Sequence, residues 1–276
     1  MSLEYFLRTY LRERPLFLSL IRAKEAYLFQ KYLPFKKPVL DVGCGDGFFT
    51  NVTFAKNFQF PRPTSHGRSP GGRAISNFQL DAGLDLQDSR IEEARKLNIY
   101  KKLVIYNGKK IPLPDNSFNT VVSNCVLEHV EDVETVLTEI YRVLRPGGVF
   151  ITTVMARPWE EHLFGTRIFG SFYKKWMRKK QVHLNLFTCQ KWNQVFQKAG
   201  FQREICEGYL SPQSCALIDI CHYLSFPSLI SYTFLGKWML FPQITSYLYP
   251  TSHLAKVLLQ KVSREDSGAL FYVLKK

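Results

Sequence analysis

The sequence predicts an α/β fold, a doubly wound and mostly parallel sheet with helices on both faces. Three observations carry this. The segment Pro38-Val39-Leu40-Asp41-Val42-Gly43-Cys44-Gly45-Asp46-Gly47 reads as a buried strand that ends on an acid and turns at once through three alternating glycines. Downstream, short apolar runs alternate with helical patterns, which is the order of βαβ units. The chain is 46% hydrophobic over 276 residues, enough for one sizeable core with appendages, whereas two independent domains would be cramped.

Ahead of the glycine turn, Leu3, Phe6, Leu7 and Tyr10, then Phe17, Leu20, Ile21, Tyr27 and Leu28, fall near helical spacing on either side of Pro15. They predict two amphipathic helices, a helical cover over residues 1–34. Charges interrupt this stretch throughout and no small-residue cleavage site follows, so it does not read as a signal peptide. At the turn itself, glycines let backbone N–H groups approach a ligand closely and the next helix presents its N-terminus there, so the segment reads as a nucleotide or nucleoside cradle. A dinucleotide site wants G-x-G-x-x-G, and Phe48 stands at the third-glycine position; no Lys-Ser or Lys-Thr pair follows, so a phosphate-binding loop is also excluded. A tight strand-to-helix loop with no ligand remains the alternative.

A helix is expected from Phe48 to Phe58. Residues 59–77 form a Pro/Gly/Ser-rich inserted loop that contains Arg62, Arg68 and Arg73 and lacks acids, either a solvated loop or a contact for an anionic substrate. A strand from Phe78 to Leu86 follows, and Asp85 at its end can accept both hydroxyls of a ribose through its two oxygens. Ser89 and Glu92 form a capping-box pattern for a helix to about Lys96. A third strand spans Lys102 to Tyr106 and a fourth Thr120 to Ser123. Val133, Val136, Leu137, Ile140, Tyr141 and Leu144 then mark one face of a helix begun near Asp132; Arg145-Pro146-Gly147-Gly148 ends it, and Val149 to Val154 is a fifth strand. Thr188 to Ala199 reads as a helix and Gly200-Phe201 opens a strand to about Glu207.

Three further stretches, Ile111-Pro112-Leu113-Pro114-Asp115-Asn116-Ser117-Phe118, Leu127-Glu128-His129-Val130 and Tyr141-Arg142-Val143-Leu144-Arg145-Pro146-Gly147-Gly148, join the glycine turn in a combined motif. Over roughly Pro38 to Val154 the chain resembles class I S-adenosylmethionine-dependent methyltransferases, in particular the type 11 subgroup. The resemblance implies a seven-stranded Rossmann-like methyltransferase fold with an antiparallel last strand, here Gly268 to Lys276. Residues 35–276 would then be one methyltransferase domain carrying the inserted loop 59–77, a helical cap 156–187 and an apolar insertion 208–267. It also implies S-adenosyl-L-methionine as cofactor. Asp41, Gly43, Cys44 and Gly45 would lie at its methionine end, Asp85 and Leu86 at the ribose, Asn107 and Gly108 at the adenine, and Asn124 beside the methyl group. Asn107 departs from the family, which usually has Asp there; an amide oxygen can still accept from the adenine amino group.

Methyl transfer from a sulfonium is an in-line displacement, so the protein mainly aligns groups and excludes water, and a base adds rate for an oxygen or nitrogen nucleophile. His129 is the candidate base, with a structural histidine at a helix start as the alternative, and His183 is a second candidate facing the pocket from the cap. Related ubiquinone-pathway O-methyltransferases hold a divalent metal around the same motif. Only Glu128 and His129 match, so no metal is expected.

The balance of 37 Lys+Arg against 23 Asp+Glu, a formal charge of +14, favours anionic partners without choosing among them. The six cysteines lack C-x-x-C and Cys/His ligand spacing and read as reduced, buried small hydrophobes. Between Gly208 and Ala255 the only formal charges are Asp219 and Lys237. This insertion reads as a buried cap, a groove for a lipid tail or a surface that dips into a membrane; its uncharged run is too short and too polar for a span. The cluster Lys174, Lys175, Arg178, Lys179 and Lys180 with Tyr173 and Trp176 could meet an anionic surface. The expected partner is a small-molecule or lipid-linked acceptor, with O-methylation favoured, in the cytoplasm with peripheral contact at the inner face of the membrane. An RNA methyltransferase and a non-catalytic membrane-associated binding protein are the other readings; against nucleic acid, Ser123-Asn124-Cys125-Val126 lacks the Asn/Asp-Pro-Pro-aromatic motif and no RNA-binding module is visible.

Overall fold

The computed structural model describes residues 1–55, 79–87 and 89–276. Seven strands form one sheet: β1 Val39–Val42, β2 Leu80–Leu86, β3 Tyr100–Tyr106, β4 Phe118–Asn124, β5 Leu144–Met155, β6 Gln202–Gly208 and β7 Ala269–Lys275. Their spatial order is β3-β2-β1-β4-β5-β7-β6. β1 to β5 are mutually parallel, with Leu40 opposite Ala82 and Val121. β7 inserts antiparallel between β5 and β6, with Ile151 opposite Val273 and Val273 opposite Ile205. The sheet therefore matches the expected architecture, antiparallel last strand included.

Alternation along each strand divides the core in two. Val39, Val122, Ile151, Phe271 and Val273 face one layer. Their neighbours Leu40, Val121, Phe150, Leu270 and Tyr272 face the other. The second layer is closed by α5 (Val133–Val143), whose buried Val133, Val136, Leu137 and Ile140 lie at helical spacing, and by α8 (Cys189–Lys198) with Trp192 and Phe196. Asp132 caps α5 by accepting from the Thr135 N–H, and Thr188 caps α8 through Lys191.

The first layer is closed by elements from both ends of the chain. α1 (Leu3–Leu11) and α2 (Leu16–Phe29) pack on α9 (Pro212–Leu224) and α12 (Thr251–Leu258). α1 is amphipathic, but α2 buries Ser19, Lys24 and Glu25 together with its apolar face, so it is enclosed rather than half-exposed. The segments between β5 and β6 form α6 (Pro158–Glu161) and α7 (Phe164–Lys180), the latter broken at Gly170; α10 (Phe226–Leu235) and α11 (Pro242–Leu248) follow α9.

Local details depart from the sequence reading. The inserted loop at 59–77 and its three arginines lie outside the described residues. Among the described residues after the glycine turn, α3 (Phe48–Thr50) is a single turn that passes into a π-helical turn, Asn51–Ala55. The capping box does not form, because Arg90 occupies the N-cap of α4 (Ile91–Leu97) and the Ser89 hydroxyl caps nothing. β5 begins at Leu144, before the glycines, and a register shift between Phe118 and Thr120 on its partner absorbs Arg145 to Gly148.

Candidate active site

In an open parallel sheet, ligands collect beyond the carboxyl ends of the strands, where neighbouring connections leave in opposite directions. Here that point lies between β1 and β4. The carboxyl ends of β1, β2, β3 and β4 deliver Gly43, Asp85, Asn107 and Cys125 to one cavity of about 490 Å³.

The donor end is made largely of backbone. Gly43, Gly45 and Gly47 adopt φ of +76°, +53° and +73°, the left-handed region that favours glycine. Gly43 also has no room for a side chain, since a Cβ would stand 2.2 Å from Val126 Cγ2. The turn is pinned to β2: Gly43 and Cys44 donate N–H bonds to the Leu84 carbonyl at 2.8 and 3.1 Å. Asp85 accepts from the Gly45 N–H at 2.5 Å on one oxygen and from the Leu86 N–H at 2.7 Å on the other. Each oxygen keeps acceptor capacity, so a vicinal diol can still be bound by the pair. Burial raises the Asp85 pKa against the effect of those two N–H groups. Leu86, Tyr106 and Val130 supply apolar walls, and Gly108 gives the backbone close approach.

Not every expected residue reaches the cavity. Asn107 lines it, but its Oδ1 accepts from the N–H groups of Lys109 and Lys110 at 3.0 and 3.1 Å. The expectation that this amide oxygen receives the adenine amino group is thus corrected: a local turn already uses both lone pairs. Asp41 is buried behind the turn, where its Oδ2 accepts from Thr50 Oγ1 at 2.6 Å and Tyr100 OH at 2.5 Å; burial raises its pKa to about 6. Cys44 and Gly45 lie in the turn without lining the cavity. Cys44 is buried, and burial with nearby Asp41 pushes its thiol pKa far up.

At the other end, Asn124 also turns away from the cavity. Its amide donates to Glu25 Oε2 at 2.9 Å, and Thr153 Oγ1 donates to its Oδ1 at 2.7 Å. Glu25, from α2, is fully buried and was not singled out by the sequence. It also accepts from Arg22 at 2.7 Å, Tyr209 OH at 2.9 Å and the Cys125 thiol at 3.0 Å. Four donors from three parts of the chain, α2 itself, the end of β4 and the residue after β6, thereby converge on one carboxylate, which is how a buried charge is held. Cys125, at φ +50°, carries the chain around this point. The visible signal for Glu25 was an Arg/Glu pair three residues apart inside a mostly apolar helix, with Ser19 and Lys24 as its other polar residues.

His129 lies at the cavity and its Nδ1 is 3.0 Å from the Val182 carbonyl. A carbonyl only accepts, so Nδ1 carries the proton and the Nε2 lone pair is left for a base. His183 is different. It is buried outside the cavity lining with its Nδ1 unpartnered, and burial lowers its pKa to about 3, with His129 and Arg178 adding to the effect. Its expected role as a base facing the pocket is corrected to a neutral ring packed 5.1 Å from His129. Glu128 is buried as well, one oxygen accepting from the Met155 N–H at 3.2 Å, and burial raises its pKa. It points away from the exposed His129 into the core. Among the described residues no group of three potential ligands could hold a metal.

Residues 73–152 match the family model described as a methyltransferase domain. That stretch is a methyltransferase domain of the type 11 group. Similar curated proteins include a demethylmenaquinone methyltransferase of Symbiobacterium thermophilum, 30% identical over 131 residues, 45% of each chain. A malonyl-[acyl-carrier protein] O-methyltransferase of Yersinia pestis is 31% identical over 118 residues, 43% of this chain and 36% of that protein. The chain therefore spans less than half the length of these relatives. Among solved structures, an S-adenosylmethionine-dependent methyltransferase from Mesorhizobium loti superposes with a TM-score of 0.54 at 18% identity, over 92% of this chain and 98% of that one, a likeness of fold. The cofactor of such a domain is S-adenosylmethionine. The two-oxygen acceptor at Asp85 and the apolar slot beside Gly108 fit its nucleoside part, and Gly43 brings bare backbone to the same cavity.

Proposed function

We propose that this protein transfers the methyl group of S-adenosylmethionine to an oxygen of a small-molecule or lipid-linked acceptor. The observation that carries this is a single cavity with the Asp85 diol acceptor at one end and His129, in the tautomer that leaves Nε2 basic, beside it. When bound, the cofactor supplies an already activated methyl group. The chain's own residues then have three tasks. Gly43 and Asp85 fix the donor, Val126, Val130 and Leu184 keep water from it, and His129 takes the acceptor's proton at Nε2. The two relatives are named for different acceptors, demethylmenaquinone and malonyl-[acyl-carrier protein]. That spread supports the donor chemistry and leaves the acceptor to residues at the cavity rim.

Isothermal titration with S-adenosylhomocysteine tests the donor site. Wild type binds, and Asp85→Ala weakens binding by roughly 30-fold or more, the loss of charge-assisted bonds worth about 2 kcal/mol. Absence of binding by the wild type would sink the proposal. Isotopically labelled methyl donor, incubated with enzyme and a lipid and metabolite extract, tests the chemistry. Labelled product is expected, and His129→Ala should lower its rate roughly 100-fold with donor affinity unchanged; an equal rate would remove His129 as base.

A further inference from the structure

α7 and α10 expose their large apolar side chains. In α7, Ile168, Phe169, Phe172 and Trp176 are exposed, Phe172 by 75%. In α10, so are Phe226, Leu229, Ile230, Phe234 and Leu235, Phe234 by 80%. The two helices belong to one surface. α9 packs on α7, its buried Asp219 accepts from the Gly165 N–H and from Tyr173 OH, and Tyr173 OH meets Tyr223 OH at the end of α9, directly before α10. An apolar area of this kind on an exposed face marks an interaction surface.

Charge decides what it meets. α7 contains Arg167, Lys174, Lys175, Arg178, Lys179 and Lys180 and not one acid. Of these only Arg178 is in an ion pair among the described residues, with Glu160. α10 has no charge at all, and the single acid of α9, Asp219, is buried. We propose that α7, the end of α9 and α10 form a docking surface for an anionic lipid bilayer, with the aromatic and aliphatic side chains seated in the interface and the lysines on lipid phosphates. Exposed Trp176 among the lysines is placed as interfacial tryptophans are. A second copy fits less well, because a twofold contact through this face would set one lysine cluster against its equivalent. The surface reaches the active site: Val182 and Leu184, two and four residues past α7, are exposed and line the cavity. Among the described residues no single helix is long and apolar enough to cross a membrane, and α9 with α10 passes that test only as a pair bent by 45°.

Flotation of the purified full chain with vesicles tests this. The protein should float with vesicles of phosphatidylglycerol and phosphatidylcholine and stay behind with phosphatidylcholine alone. Lys175→Glu with Lys179→Glu should lower partitioning at least about tenfold, and Phe172→Ser with Phe234→Ser by a similar factor. All four side chains are exposed, and both variants should bind S-adenosylhomocysteine as the wild type does, which separates this surface from the methyl-transfer reading. Failure to float with anionic vesicles, equal binding to neutral ones, insensitivity to both variants, attachment resisting an alkaline carbonate wash, or a stable dimer that hides the face would each overturn the proposal.

Discussion

The two ends of the cavity are built by different means. At the donor end, the turn of residues 43–47 and the end of β2 do nearly everything with backbone groups, and a single carboxylate, Asp85, ties them together. At the acceptor end, Glu25 gathers Asn124, 99 positions away, and Tyr209, 184 positions away, while Val182 holds His129. A backbone cradle depends on local conformation and on the absence of side chains. A side-chain network depends on the whole chain having folded.

The largest effect that comparison predicts falls on the donor end. Gly43→Ala would place a methyl 2.2 Å from Val126 Cγ2 at a φ of +76° and should cost about 4 kcal/mol or more in urea unfolding. Val126→Ala in the same chain should restore part of this by making room. Gly45→Ala is the control, with a similar φ of +53° but open space at its Cβ, and should cost about 1 kcal/mol. Equal losses at the two glycines would show that conformation alone, without close packing on Val126, shapes the cradle.

At the acceptor end, Glu25→Ala would strand Arg22, Asn124 and Tyr209 and should cost about 3 kcal/mol. Glu25→Gln should cost less, since one oxygen still accepts. Titration with S-adenosylhomocysteine sharpens the contrast, because the Glu25 variants should keep donor affinity within about threefold of wild type while Asp85→Ala does not. A tenfold loss in Glu25→Gln would mean the two ends are one unit.

The same contrast explains what could be read from the sequence. Asp85, Gly108 and the glycine turn were legible because each sits at a strand end, a position set by local pattern. The fold was legible for the same reason, since the alternation of apolar runs names the strands and the helix faces between them. Glu25 was not, because a buried carboxylate in α2 has no local signature of its partners on β4, α9's approach and beyond. Asn107 lines the cavity, but its oxygen accepts from its neighbours' N–H groups, a local turn that the motif position does not reveal. His183 was read as facing the pocket from the cap and instead lies buried beside His129, because burial of a side chain by a returning loop is a long-range fact.

The smallest of the three effects concerns Asp41, behind the donor turn. Burial, followed by the nearby Asp85 charge, lifts its pKa to about 6 despite the Thr50 and Tyr100 hydroxyls. The folded chain therefore holds a proton that the unfolded chain releases near pH 4. Between these values the folded state binds more protons, so this group's contribution is fully present below about pH 4 and falls as pH rises toward 6, by about 2 to 3 kcal/mol. Other carboxylates titrate over the same range, several with the opposite sign, so the measurement is a difference. The stability of wild type minus that of Asp41→Asn, from urea unfolding at pH 4.5 and pH 7, should fall by about 2 kcal/mol across the interval. A difference that stays flat would mean that Asp41 remains ionised at pH 4.5 in the folded chain, held by its two hydroxyl donors, and that the donor end carries a buried charge just as the acceptor end does at Glu25.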